Sequence, residues 1–238
     1  MVKTGREVFK AVVYDKINGL IKVERIIDAT DSNYYIVQIC ELKWLRNGSF
    51  VTLNNTVTFA VSEIDYSLKT VKLTKLNPLD TLVNGDVLQL EFPAFNSGTP
   101  LNYNKERQMT INAAIQVAPI NIWLLESIKG SRPLKTEYMG YSFDFVFYIL
   151  YDADLTNTLN AQRHETNIRY ATQIRAEIER VLDETNGVFR TSELAFRELP
   201  IFGKETENGI EQYIIDANMS GIECRVSVRV TTEFLCKC

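Results

Sequence analysis

The chain carries one histidine, His164, and a loose set of carboxylates near it, and these are the residues to weigh first for chemistry. Nucleophilic or general acid–base catalysis needs an imidazole held beside a Ser or Cys nucleophile and oriented by a carboxylate. His164 instead falls near the start of the polar face of a helical pattern, and no G-x-S-x-G turn occurs. A solvated histidine and no catalytic residues are therefore expected. Asp152 and Asp154, with His164 and Glu165 downstream, have the ligand chemistry of a divalent-cation site, because carboxylate oxygens suit hard cations. The same aspartates suit a strand-to-helix turn, where short polar side chains satisfy orphan backbone donors, and that is their expected role.

The four cysteines are Cys40, Cys224, Cys236 and Cys238, of which only the last two are close, as a C-x-C. Zinc sites use two such pairs, or Cys and His at set spacings, so no metal site is expected. Cys40 and Cys224 lie in strand patterns and are expected as small core hydrophobes. Walker, G-x-G-x-x-G and H-E-x-x-H patterns are missing, so no cofactor is expected.

Charge narrows the partners. The chain has 26 basic and 30 acidic residues in 238, a net charge of -4. That balance lacks the basic footprint of specific nucleic-acid binding. The longest apolar run, Phe143 to Tyr151, is broken by Asp144 and is strand-sized, and no secretory leader is recognisable, so no membrane partner is expected. The most basic strand pattern, Leu68 to Leu76, spreads Lys69, Lys72 and Lys75 over both faces. It is expected to be an exposed or edge strand whose lysines block unwanted pairing.

The elements that position these residues differ between the two halves. From residue 7 to about 93 the hydrophobic period is two: Val57, Phe59 and Val61 share one face, as do Leu88, Leu90 and Phe92, and Ile36, Cys40, Leu42 and Trp44. Asn18-Gly19, Asn47-Gly48 and Asn84-Gly85 supply reversals that need positive φ. No helical periodicity stands out there. Residues 1–98 are expected to be an all-β sandwich or barrel of six to eight strands. Residues 99–118 follow as a linker or exposed loop, rich in Pro, Gly, Asn and Ser.

Residues 119–238 are expected to be an α+β domain, an antiparallel sheet with a packed α-helix, making the whole chain α+β. Residues 120–128 form a short apolar run, helix or strand. Phe143, Phe145, Phe147 and Ile149 line one face of a strand. Across 160–185, Ile168, Ala171, Ile174, Ile178, Val181 and Leu182 recur at helical steps and Asn186-Gly187 ends the pattern. Leu194 to Phe202 and Tyr213 to Ala217 are further strands, with a hairpin tip at Asn208-Gly209. In the final strand Ile222, Cys224, Val226, Val228, Val230 and Phe234 face in, and Glu223, Arg225, Arg229 and Glu233 face out. The polar helix face carrying Arg169, Glu177 and Arg180 and the strand face carrying Glu223, Arg225 and Arg229 are the candidate subunit-contact residues. Mixed-sign surfaces suit wet interfaces in which each charge meets its opposite.

The run PINIWLLESIKG, the strand YSFDFVFYILYDAD, the helix RHETNIRYATQIRAEIERVLDE and the closing strand SGIECRVSVRVTTEF resemble, in order and texture, the tail-completion or tail-terminator proteins of tailed bacteriophages. The resemblance covers residues 119–235, about half the chain. It implies a structural virion protein, made in the bacterial host cytoplasm, that forms a homo-oligomeric ring at the head–tail connector or in the tail. Its implied neighbours are portal, adaptor or other tail proteins, and it implies no active site. Residues 1–98 are not part of that family pattern. The competing expectation is a cytoplasmic peptide- or glycan-binding module without catalysis, anchored by exposed Tyr34, Tyr35 and Tyr103.

Overall fold

The computed structural model describes residues 4–98, 120–125, 134–136, 140–152, 160–199, 204–207, 210–213 and 219–233. The chain divides into two compact units, one of Asn18–Phe92 and one of Met1–Ile17 together with Pro93–Cys238. The N-terminal seventeen residues thus group with the second half, and the strand-rich first unit is an insertion between them. The 99–118 linker lies outside the described residues.

The inserted unit is a closed six-stranded barrel built from β1 (Leu20–Asp28), β2 (Tyr34–Ile39), β3 (Phe50–Leu53), β4 (Val57–Asp65), β5 (Thr70–Lys75) and β6 (Val87–Leu90). Its order is β1-β2-β5-β4-β3-β6, closed by β1 on β6, and every pairing is antiparallel. Closure leaves no edge strand, so β5 is an interior stave and not the edge its lysines led us to expect. Those lysines serve other purposes. Lys72 Nζ lies 4.2 Å over the Tyr34 ring, Lys75 Nζ lies 4.3 Å over Tyr35, and Lys69 Nζ donates to the Cys40 carbonyl.

The barrel interior alternates as the period predicts, with Phe59, Val61, Leu88 and Leu90 buried and Val57 only partly covered. Phe92 breaks the pattern at 40% exposed. In β2 the buried face is the other one: Tyr35, Val37 and Ile39 point in, and Ile36 and Cys40 are only partly covered. Trp44 is buried from a loop beyond the strand, with Nε1 donating to the Glu91 carbonyl. Gly48 and Gly85 take the positive φ their turns require, whereas Gly19 does not, and a Cβ there would press on the movable end of Gln89 at 2.7 Å and on the buried Trp44 ring at 3.2 Å.

The second unit opens with α1 (Gly5–Val12), a helix that the strand-like periodicity of the first half hid. Thr4 and Glu7 cap each other's backbone in a capping box, and Val8, Phe9 and Val12 are buried. A single 3-10 turn, Tyr14–Lys16, follows. The main sheet has seven strands: β7 (Ala94–Gly98), β8 (Ile120–Leu125), β9 (Leu134–Thr136), β10 (Gly140–Asp152), β11 (Val188–Arg190), β12 (Ala195–Leu199) and β15 (Met219–Thr231). Residues 120–125 are therefore strand. Between β12 and β15, β13 (Lys204–Glu207) and β14 (Ile210–Tyr213) form a separate antiparallel pair with Glu207 opposite Ile210. The sheet is antiparallel except where β7 runs parallel to β8, a departure from the all-antiparallel expectation.

The backbone of the sheet is the thirteen-residue pairing of β10 with β15, from Gly140↔Thr231 to Asp152↔Met219. This register puts Phe143, Phe145, Phe147 and Ile149 beside Val228, Val226, Cys224 and Ile222, all buried, on one face. Helix α2 (Asn160–Glu184) covers that face with Ala171, Ile174, Ile178, Val181 and Leu182, all buried, as the helical spacing predicts. Phe9 of α1 completes the cover, its ring centroid 5.1 Å from those of both Phe145 and Phe147. Gly187, at φ +84°, ends α2 as expected. The molecule is thus α+β: a barrel, and a mixed sheet with helices on one face.

Candidate functional site

The face of the sheet turned away from α2 carries the most developed polar arrangement. Register places Tyr148 opposite both Glu223 and Trp123, and Arg197 of β12 also opposite Glu223. Alternation assigns Glu223 to the outward face, which is correct, but its side chain is only 3% exposed rather than solvated. Two cross-strand neighbours, Arg197 and Tyr148, and Arg225 two residues along the same strand cover and bind it. Arg197 donates from Nε and Nη2 to Oε2 at 3.1 and 2.7 Å, and Arg225 donates from Nε to Oε1 at 2.7 Å. The Tyr148 hydroxyl donates to the same carboxylate, and its ring stacks on Trp123 with centroids 5.2 Å apart.

Two opposing effects set the charge of Glu223. Burial disfavours its carboxylate, but Arg197 and Arg225 outweigh burial and hold its pKa below the ordinary carboxyl value. Tyr148 is pushed up to about 12, by burial first and then by Glu223, so it stays a hydroxyl and a donor. The two guanidiniums are 66% and 65% exposed. One buried carboxylate therefore holds two arginines out on the surface.

The second charged surface is on α2. Arg180 donates to Glu177 at 2.9 and 2.6 Å and also bonds Glu184; its pKa is raised, chiefly by the Glu177 bonds. Arg190 of β11 reaches the helix, bonding Asp183 at 2.6 and 2.8 Å and Glu179 at 2.6 Å. Burial opposes the charge on Arg190, and these carboxylates more than restore it. An open cleft of about 720 Å³ lies along this flank, lined by Arg175, Glu179, Asp183, Arg190 and Glu193 among others. Arg175 also stacks over Phe196, 4.3 Å from its centroid.

The six expected contact residues therefore fall into two separate groups. Glu177 and Arg180 bind one another on α2, with Arg169 exposed nearer the start of that helix. Glu223 and Arg225 bind one another on β15, with Arg229 partly exposed four residues along. Arg197 escaped sequence reasoning. Its own strand alternates weakly, and only the β12–β15 register reveals that it faces Glu223. His164 lies within α2, but its side chain falls outside the described residues, as do Asp154, Glu165, Cys236, Cys238 and Tyr103.

Cys224 is a buried thiol, pushed up to about 12 chiefly by burial and so held protonated, as expected of a core residue. Cys40 differs, being partly exposed with Sγ on the Lys22 carbonyl. Of the expected anchors, Tyr34 is partly exposed and Tyr35 is buried, with its hydroxyl on the Asp80 carbonyl. Among the described residues no three His, Cys, Asp or Glu side chains gather as metal ligands, and no helix is long and apolar enough to cross a membrane. Neither a protein-family model nor a curated protein matches the chain.

Proposed function

We propose that this protein is a structural subunit of a tailed-bacteriophage particle, assembling as a homo-oligomeric ring at the head–tail connector or in the tail. The observation that carries the reading is the layering of the second unit. Because α2 packs on one face of the sheet, the charged surface of α2 and the Arg197–Glu223–Arg225 group lie on opposite sides of one layer pair. A closed ring needs such an arrangement, since each subunit presents one surface to a different surface of the next and the rotation closes. The strand–helix–strand order of residues 119–235, on which the resemblance to tail-completion and tail-terminator proteins rests, agrees with it. Portal, adaptor or other tail proteins are the neighbours this role entails, and the virion is its location. The reading requires no catalytic residue or cofactor. Imaging of purified particles from a lysate that encodes the chain tests it: a closed ring of copies at the neck or tail is expected.

A further inference from the structure

We infer that the Arg197–Arg225 pair docks on the C-terminal end of α2, at Asp183 and Glu184, of a second copy of this chain. The inference rests on the ring reading above and names its contact. Three observations support it. First, the arginines are held in place before any partner arrives. Glu223 engages Arg197 through Nε and Nη2 and Arg225 through Nε only, which leaves further N–H donors on side chains that are 66% and 65% exposed. Ordering long side chains opposes association, and here a buried carboxylate has already ordered them. Planar guanidiniums fixed in this way match carboxylates in a two-point geometry.

Second, the end of α2 has the opposite sign in a place where a helix alone disfavours it. The C-terminus of a helix is the negative end of its dipole and favours cations. The last turn of α2 has no basic residue, and it ends in Asp183, 51% exposed, and Glu184, 61% exposed. Nearby stand Glu177, Glu179, Asp183, Glu184 and Glu193 against Arg175, Arg180, Arg190 and Lys16, so the surface keeps a small negative excess. The sheet group keeps a positive excess, two guanidiniums on one carboxylate. Third, the two surfaces lie on opposite sides of the unit, so one copy cannot satisfy itself.

The test is self-association of the full chain, measured by sedimentation across a range of protein and salt concentrations. The triple variant R197Q/E223Q/R225Q removes the arginine group without stranding the buried carboxylate, and D183K/E184K reverses the exposed acidic pair. A single cooperative melting transition, above the temperature of the association measurement, confirms that each variant folds. Wild type is expected to associate, more weakly as salt rises, and each variant to associate at least tenfold more weakly. Combining the two sets is expected to weaken association no further, because both remove the same contact. Association equal to wild type, additive losses, a wild type that remains monomeric throughout, or salt-sensitive binding of duplex DNA by the arginine pair instead would each overturn the inference. Particle imaging decides the ring reading separately, so the two failures are distinct results.

Discussion

Glu223 shows how much a single residue's role depends on neighbours distant in sequence. Removing its partners and removing the residue itself have unequal consequences. With Arg197 and Arg225 both replaced by Ala, a buried carboxylate loses both its charged partners and keeps only Tyr148, an expected loss of about 3 kcal/mol. In Glu223→Gln the exposed arginines return to water, and the expected loss is about 1 kcal/mol. Chemical denaturation at neutral pH compares the two, and equal losses would mean that Glu223 is not held as described. The pH dependence has a definite sign. The folded-state pKa of Glu223 lies below its unfolded value, so its stabilisation is present above the ordinary carboxyl range and lost as pH falls through the lowered pKa. The stability gap between wild type and Glu223→Gln should therefore be present at about pH 7 and shrink as pH falls through and below the ordinary carboxyl range. A gap that widens in acid contradicts the arrangement. Alternation alone put Glu223 and Arg225 on the right face. It could not supply Arg197 or Tyr148, because both reach Glu223 through strand register, which sequence periodicity does not contain.

Strong periodic elements were legible and short ones were not. The thirteen-residue β15 and the twenty-five-residue α2 bury most of the residues their spacing predicts; Ile168 is only partly covered, and Phe234 lies outside the described residues. Helix α1 has eight residues, little more than two turns, and its short stripe of Val8, Phe9 and Val12 at helical spacing is easily absorbed into the strand-like pattern that follows it. Its legible signal was the Thr4-x-x-Glu7 capping box, and Thr4→Ala should cost about 1 kcal/mol. In β2 a one-residue offset exchanged the faces, since Tyr35, Val37 and Ile39 are as apolar a set as the alternative. Gly221 gives the sharpest test of the β10–β15 pairing. It sits opposite Leu150, and a Cβ there would lie 2.0 Å from the Ile149 carbonyl oxygen. Gly221→Ala should destabilise the second unit by about 3 kcal/mol or more, because backbone must move to admit the methyl. A neutral Gly221→Ala would show the pairing to be wrong. Val226→Asp should likewise abolish soluble folding, since Val226 is 3% exposed among aromatic rings. Ser227 lies on the other face but bonds Asp144, so Ser227→Asp sets two carboxylates together and should cost about 1 kcal/mol.

At the scale of the whole molecule, composition and turn spacing distinguished a strand-rich unit from an α+β one, but not their true limits in sequence. The boundary is set by packing: Phe9 is fully buried against Phe145 and Phe147, so α1 belongs with residues beyond 93. Phe9→Ala should lower the stability of the second unit by about 3 kcal/mol and leave the barrel's own unfolding unchanged. Residues 18–92 expressed alone should unfold cooperatively, as a closed barrel with its own core. Hydrogen exchange, read separately on the two units, checks both outcomes. The central claim is that many copies of the second unit close into a ring in a phage particle, and cryo-electron microscopy of purified virions tests it most directly. The account predicts density for this chain as a closed ring at the neck or tail, with the α2 surface of each copy against the Arg197–Arg225 face of the next. Absence from purified virions, or scattered single copies away from the neck and tail, would contradict it.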